Sequence, residues 1–249
     1  MRRRRLALLG AVATLAAAIA GAALATRSSS PPRLTVFAAA SLTDVLPRID
    51  ARERYSFGGS NALAAQVQQG LPADVFASAN VTLPDQLYAA GLVDKPVLFT
   101  ANALVLITRK GNPSRLHGVY GLDRPGLKIV MGAAGVPVGD YTRRVLARLG
   151  LSDLVARSAS QETDVREVLG KIVLGEADAG FVYATDARAV KGEVAVFAIP
   201  PNAQPKVNYA AAAVNGGPNE AAAQAWVKRL QGRAAQKKLR AAGFLRTGR

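Results

Sequence analysis

Seven short apolar runs alternate along this chain with segments whose apolar residues recur at helical spacing. The runs lie at residues 34–39, 55–57, 74–78, 103–108, 127–131, 180–183 and 194–198. Between the first two, apolar side chains at positions 42, 45, 46 and 49 follow the pattern of a helix with one buried face. Strands that alternate with helices build sheets covered by those helices, so the sequence predicts an α/β fold with mainly parallel sheets.

Two extended apolar stretches, 101–107 and 207–214, are predicted to cross between two lobes. Lobe I then comprises residues 34–102 plus 212–249, and lobe II comprises residues 103–211, including the crossing strands. Ligand clefts in open α/β sheets lie beyond the carboxyl ends of the strands. We therefore expect a ligand cleft between the two lobes.

The first 25 residues are predicted to be an export signal. Arg2 to Arg5 precede an Ala-rich apolar run, and the sequence at 23–25 fits the small-x-small cleavage rule. An uncleaved membrane anchor is the alternative, because the run approaches a spanning length. Residues 26–33 are predicted to be a linker. Both cases place the protein outside the cytoplasm, in the periplasm or on the outer face of the cytoplasmic membrane.

The absence of cysteine and the presence of a single histidine exclude disulfides and argue against a transition-metal site. We expect no cofactor. The net charge is +15, but the basic residues are scattered and only 6% of residues are aromatic, so no stacking platform for nucleic acid is predicted. A membrane-anchored basic surface protein is an alternative that would also explain the charge.

Two serines occupy the most informative positions in the chain. Ser41 and Ser60 each lie where an apolar run ends in small residues and a helix is predicted to begin. A helix start leaves backbone N–H groups unpaired and carries partial positive charge, so two starts that face one cleft would bind an anion. For Ser41 the spacing to Asp44 fits a capping box equally well.

Three further segments could add donors to such a cleft. A helix is predicted to begin near Pro137, and another after Asp164, which is a plausible N-cap residue. Tyr183 ends an apolar run, so its hydroxyl could reach the cleft. A core role for its ring is the alternative.

Several motifs resemble those of a known family, the periplasmic molybdate-binding proteins (ModA-like) of ABC importers. They run in order through the chain, at 36–43 (VFAAASLT), 57–63 (FGGSNAL), 70–79 (GLPADVFASA), 139–141 (GDY), 164–166 (DVR), 175–186 (GEADAGFVYATD) and 243–244 (GF).

The resemblance implies a two-lobed type II periplasmic-binding-protein fold that closes on a tetrahedral oxyanion. It implies capture of molybdate, or of tungstate, and delivery to an ABC transporter permease with its ATPase by a monomeric protein that is not an enzyme. Molybdenum would be bound only as its oxyanion. Carried over position by position, the ligand contacts fall on the hydroxyl and N–H groups of two serines, two backbone N–H groups and one phenol, namely Ser41, Ser60, Val138, Val165 and Tyr183.

The chain departs from the family pattern in four places. The first helix is several residues shorter, and the loop at 132–137 lacks the Asp that the family usually has there and the His that it often has. Asn61 stands where Ser or Thr is common, and Val138 replaces a small residue. Because the contact at position 138 is through the backbone, we expect function to survive that change.

Two other functions remain open at this point. The first is a binder of another tetrahedral oxyanion such as sulfate, for which discrimination would depend on cavity size. The second is a serine hydrolase with Ser41 or Ser60 as the nucleophile and His117 as the base, although no acid at a telling spacing and no Gly-x-Ser-x-Gly motif accompany them.

The donors of the predicted oxyanion site are neutral groups. They predict that the affinity for molybdate stays nearly constant from about pH 5.5 to 8.5.

Overall fold

Ten strands and eight α-helices form the part of the chain that the computed structural model describes, residues 32–247. The strands are β1 (Thr35–Ala39), β2 (Arg54–Gly58), β3 (Val75–Ser78), β4 (Val97–Asn102), β5 (Leu104–Arg109), β6 (Ile129–Gly132), β7 (Ser160–Glu162), β8 (Ala179–Tyr183), β9 (Val194–Ala198) and β10 (Val207–Ala213). The helices are α1 (Leu46–Ile49), α2 (Ser60–Gln68), α3 (Thr82–Ala89), α4 (Pro137–Arg148), α5 (Val165–Leu174), α6 (Ala184–Ala189), α7 (Glu220–Leu230) and α8 (Arg233–Ala241).

The α/β fold class is confirmed, and each of the seven predicted runs coincides with a strand. The predicted signal or anchor at 1–25 lies outside the described residues, as does most of the linker at 26–33. Within residues 32–247, no helix is long and apolar enough to cross a membrane.

The strands form two five-stranded sheets, in the orders β2-β1-β3-β10-β4 and β7-β6-β8-β5-β9. Four strand pairs are parallel and four are antiparallel, so the sheets are mixed rather than mainly parallel. The antiparallel pairs all involve β5 or β10. The physical reason is strand direction. β5 and β10 each begin where the chain crosses from one sheet to the other, so they run away from the crossings. β1, β3 and β8 run towards the crossings.

The chain crosses between the sheets twice. The single residue Ala103 separates β4 from β5, and residues 199–206 connect β9 to β10. The lobe boundary predicted at 211/212 falls inside β10, which pairs with β3 and β4 in the first sheet. The division into lobes at these residue numbers stays a prediction. The first lobe is the first sheet with its helices, and the second lobe is the second sheet with its helices.

The helix expected after β1 is much shorter than its apolar pattern. Residues Ala40–Leu42 form a 3-10 helix, and α1 has only four residues. Pro47 lies in its first turn, where the missing N–H of proline is tolerated, so the α-helix cannot begin much earlier. Leu42, Val45 and Leu46 are nevertheless buried, which shows that the apolar pattern indicated burial correctly.

A chain of aromatic rings joins the two sheets. Tyr209 on β10 makes edge-to-face contacts with Phe99 and Phe244 in the first lobe and with Tyr183 on β8 in the second, at ring-centre distances of 6.2, 5.6 and 5.9 Å. Tyr183 in turn contacts Tyr141 of α4 at 6.4 Å. Edge-to-face pairs are favourable and geometrically specific, so this row of aromatic rings contributes to the packing of the second sheet against the first.

The start of α4 is pressed against the end of β6 at a glycine. A Cβ atom on Gly139 would lie 2.2 Å from the carbonyl oxygen of Ala133 and 2.3 Å from that of Gly132. Backbone atoms cannot move away as a flexible side chain can. We therefore expect Gly139→Ala to destabilise the fold by about 2 kcal/mol or more in chemical denaturation.

Gly170→Ala is the matched control, because Gly170 also lies inside a helix but a Cβ atom there would have no heavy atom within 4 Å outside its own helix backbone and chain neighbours. Alanine is the better helix former, so this variant should gain up to about 1 kcal/mol. Equal stabilities for the two variants would contradict the packing argument.

Candidate functional site

A small pocket with a cavity volume of about 10 Å³ lies where the ends of β1, β2 and β8 meet the starts of α2, α4 and α5. Pockets for organic ligands usually measure roughly 300–1,000 Å³, so this one suits a small ion better. All five residues predicted from the sequence line it. The lining residues are Ala39, Ala40, Ser41, Gly58, Gly59, Ser60, Ala79, Val136, Pro137, Val138, Asp164, Val165 and Tyr183.

Ser41 is buried within the 3-10 helix and does not cap an α-helix. Its Oγ lies 2.8 Å from the hydroxyl oxygen of Tyr209, so the capping-box interpretation with Asp44 is wrong. Asn102 Nδ2 lies 3.4 Å from the same Tyr209 oxygen and donates to Thr185 Oγ1 at 2.8 Å. Sequence reasoning missed this polar chain, because the neighbours of Tyr209 along the chain are mostly small apolar residues.

Ser60 is the first residue of α2 and is buried. Its Oγ accepts a hydrogen bond from the backbone N–H of Ala79 at 3.1 Å. A hydroxyl has one proton to donate, and accepting from Ala79 leaves that proton available for another group. Gly59 precedes it, and a Cβ there would lie 2.3 Å from the carbonyl oxygen of Thr163 in the second lobe. Glycine therefore allows the start of α2 to approach the opposite side of the cleft.

Two helix starts of the second lobe complete the lining. In α4, Pro137 occupies the first turn and Val138 follows it. In α5, Asp164 is the N-cap residue, as predicted, and its side chain accepts from the N–H groups of Arg166 and Glu167. The N–H of Val165 stays outside that cap. Each start therefore brings a main-chain donor to the pocket together with the positive end of a helix.

The hydroxyl of Tyr183 is the most unusual group in the pocket. The side chain is buried, and its oxygen has no hydrogen-bond partner among the described residues. Burial raises the pKa of this phenol well above its ordinary value, so the group stays a protonated donor. A buried donor without an acceptor costs about 1–3 kcal/mol, which points to an acceptor that arrives with a ligand.

The electrostatics of the lining are simple. Of the thirteen lining residues, only Asp164 is charged, and its carboxylate already caps α5. His117 is exposed and does not line the pocket. The hydrolase alternative is therefore wrong, because its proposed base, His117, lies outside the pocket, and within residues 32–247 the serine Oγ atoms bond instead to the Tyr209 hydroxyl and the Ala79 N–H. The pocket offers neutral donors, and such a set can stabilise a small anion without burying a lone cation when it is empty.

A buried carboxylate lies behind Tyr183. Asp186 accepts the backbone N–H of Tyr183 at 3.3 Å and pairs with Arg166 Nε at 2.8 Å. Burial raises the pKa of Asp186 to about 6, and the charge of Arg166 opposes the rise. Sequence reasoning missed both residues, although the DVR and YATD segments of the family motifs contain them.

Comparison with known proteins agrees with this geometry. Residues 34–245 match the family model described as bacterial extracellular solute-binding protein. Molybdate-binding protein ModA of Mycobacterium tuberculosis is 34% identical over 85% of this chain and 84% of its own length. Molybdate-binding protein ModA of Escherichia coli is 33% identical over 95% and 96%.

Among solved structures, the periplasmic molybdate-binding protein of Azotobacter vinelandii superposes with a TM-score of 0.77 at 23% identity, covering 86% of this chain and 99% of its own. That likeness supports the periplasmic-binding-protein fold. Proteins of the matched family are the substrate-binding components of ABC importers and are not enzymes. The chain therefore belongs to the bacterial extracellular solute-binding proteins, and among them to the ModA-like family.

Proposed function

We propose that this protein captures molybdate, or the nearly isosteric tungstate, and delivers it to an ABC permease with its ATPase. The observation that carries the proposal is the orphan hydroxyl of Tyr183, buried in a pocket that three helix starts also line. The names of the M. tuberculosis and E. coli relatives support the same ligand. We further propose that the protein is exported, acts in the periplasm or on the outer face of the membrane, and is monomeric.

The donors and the ligand are chemically matched. One pocket is lined by Ser41, Ser60 and Tyr183, which carry hydroxyls, and by Val138 and Val165, whose main-chain N–H groups lie in the first turns of α4 and α5. Hydrogen bonds to a charged acceptor contribute about 1.5–3 kcal/mol each, so a few of them suffice for tight binding. An oxyanion without protons can accept from every one of these groups.

Phosphate fits this pocket less well than a fully ionised dianion. Phosphate keeps a proton near neutral pH, and that proton needs an acceptor in the site. The only carboxylate in the lining, on Asp164, accepts two N–H groups of α5 through Oδ1, so only its Oδ2 could accept that proton. Sulfate carries no such proton, and titration of the protein with molybdate, tungstate and sulfate by calorimetry compares all three directly.

We expect Ser41→Ala and Ser60→Ala each to weaken molybdate binding by about 1–3 kcal/mol, because each removes a donor to a charged ligand. Isothermal titration calorimetry measures the change. Ser152→Ala is the matched control, since Ser152 is exposed at the start of a 3-10 helix and does not line the pocket. Wild-type affinity in both pocket variants would place the ligand elsewhere.

Tyr183→Phe separates a ligand contact from a packing role. The ring and its edge-to-face contacts remain, and only the unpartnered hydroxyl is lost. We expect molybdate affinity to fall by about 1–3 kcal/mol while the melting temperature of the ligand-free protein does not fall. Tyr120→Phe, on an exposed tyrosine, is the control. If Tyr183→Phe binds as tightly as the wild type, the residue is only part of the core.

The pH dependence of binding follows from the same groups. Serine hydroxyls and main-chain N–H groups do not titrate near neutrality, and burial raises the pKa of Tyr183 well above its usual value. Asp186, with a pKa of about 6, begins to take up a proton below about pH 7. The flat range expected from the sequence alone, about pH 5.5–8.5, therefore shortens to about pH 7–8.5. A tenfold change in the dissociation constant within that range, at fixed ionic strength, would contradict a site of neutral donors.

A further inference from the structure

Arg166 binds carboxylates that come from both lobes. Its Nε pairs with Asp186 Oδ1 at 2.8 Å, within the second lobe. Its Nη2 pairs with Oδ2 of Asp44, which follows the 3-10 helix of the first lobe. The planar guanidinium presents these donors in a fixed fork, so holding one carboxylate orients the group towards the other.

Each of the three residues lies within three positions of a residue of the pocket. Asp44 follows Ser41 by three positions, and Arg166 directly follows Val165. Asp186 accepts the backbone N–H of Tyr183 through its second oxygen. One side chain thus connects three of the segments that line the pocket, although Arg166 itself is not among the lining residues.

The bond between Arg166 and Asp44 differs from the other ion pairs of the described residues. Residues 32–247 contain six such pairs, and the other five each join groups of the same lobe. This pair therefore joins the two sides of the cleft. Asp44 and Arg166 also line a second cavity, about 250 Å³, which meets the pocket at Ser41.

Exposure decides how much such a pair can contribute. The side chain of Asp44 is 46% exposed and that of Arg166 is 27% exposed, and surface pairs usually contribute little because ordering two long side chains costs entropy. Here the fully buried Asp186 already holds the guanidinium in place. Most of the entropy lost in ordering the Arg166 side chain is therefore already lost before Asp44 binds to it.

We propose that Arg166 is a positioning residue which, through its bond to Asp44, holds the two lobes closed over the bound oxyanion and slows its release. The proposal rests on the proposed function, because it concerns the same pocket. Arg166 acts through the closed arrangement of the lobes and makes no contact with the ligand.

Asp44→Ala tests the proposal because two effects of this change on molybdate affinity have opposite signs. Removing a negative charge near a site for a dianion would strengthen binding through the long-range field. Losing the bond to Arg166 would weaken binding by speeding release. Asp123→Ala is the matched control, because it removes the same charge and breaks the exposed pair with Arg157 inside the second lobe.

Stopped-flow kinetics with molybdate should show release from Asp44→Ala faster than from Asp123→Ala by about three- to tenfold, with no loss in the association rate. The melting temperatures of the two ligand-free variants should agree. Equal release rates in the two variants, or a change confined to association, would overturn the proposal. Arg166→Lys keeps the charge but not the fork, so it should release molybdate faster than the wild type as well.

A second measurement works even if molybdate does not bind. The chain has no cysteine, so spin labels can be placed at Gln69→Cys in the first lobe and Leu174→Cys in the second, both exposed positions. In the ligand-free protein, Asp44→Ala should shift the label distances to longer values relative to Asp123→Ala. Unchanged distances would overturn the proposal, whereas failure of the wild type to bind any of the three oxyanions would overturn the proposed function alone.

Discussion

Unpaired main-chain N–H groups at helix starts are the constraint on which the rest of this structure depends. A helix cannot satisfy its first N–H groups internally, so they must find side chains, water or a ligand. In α5 the Asp164 side chain satisfies two of them and leaves the first to the pocket. Both sheets are arranged so that the starts of α2, α4 and α5 meet at one place. The concentration of donors there, rather than any charged residue, suits the pocket to an anion.

The two crossings of the chain make this meeting possible. Only Ala103 lies between β4 and β5, so the first crossing is a very short connection between the two sheets. The contact of Tyr183 with Tyr209 then packs the two lobes against each other close to the pocket. Ser41 also hydrogen-bonds to Tyr209. The Tyr209 side chain therefore contacts both a serine of the pocket and the aromatic ring of Tyr183. The pocket and the packing of the lobes are therefore physically coupled at Tyr209.

Charge is kept out of the pocket and used around it. The chain carries a net charge of +15, yet no lysine or arginine of the described residues lines the pocket. A buried cation would be costly whenever the site is empty, whereas dipoles and hydroxyls carry no such penalty. The guanidinium of Arg166, next to the pocket residue Val165, is paired with two carboxylates. Its contribution is to hold loops in place, which needs a fixed geometry more than a net charge.

The sequence by itself determined the fold class, seven of the ten strands and the segments at Ser41, Ser60, Pro137, Asp164 and Tyr183 that all reach one pocket. Those features are encoded locally, in the period of apolar residues and in serines, glycines and an N-cap aspartate at the ends of strands. Their roles as ligand contacts came from the resemblance and stay a prediction.

The tertiary structure alone decided which residues that are distant in the sequence contact each other. The bond between Ser41 and Tyr209 spans 168 positions and that between Asp44 and Arg166 spans 122, and no local pattern specifies such pairs. The same applies to the direction of β5 and β10 and to the orphan state of the Tyr183 hydroxyl. Each depends on how two sheets pack together, because burial and partner choice are properties of the assembled core and not of any segment within it.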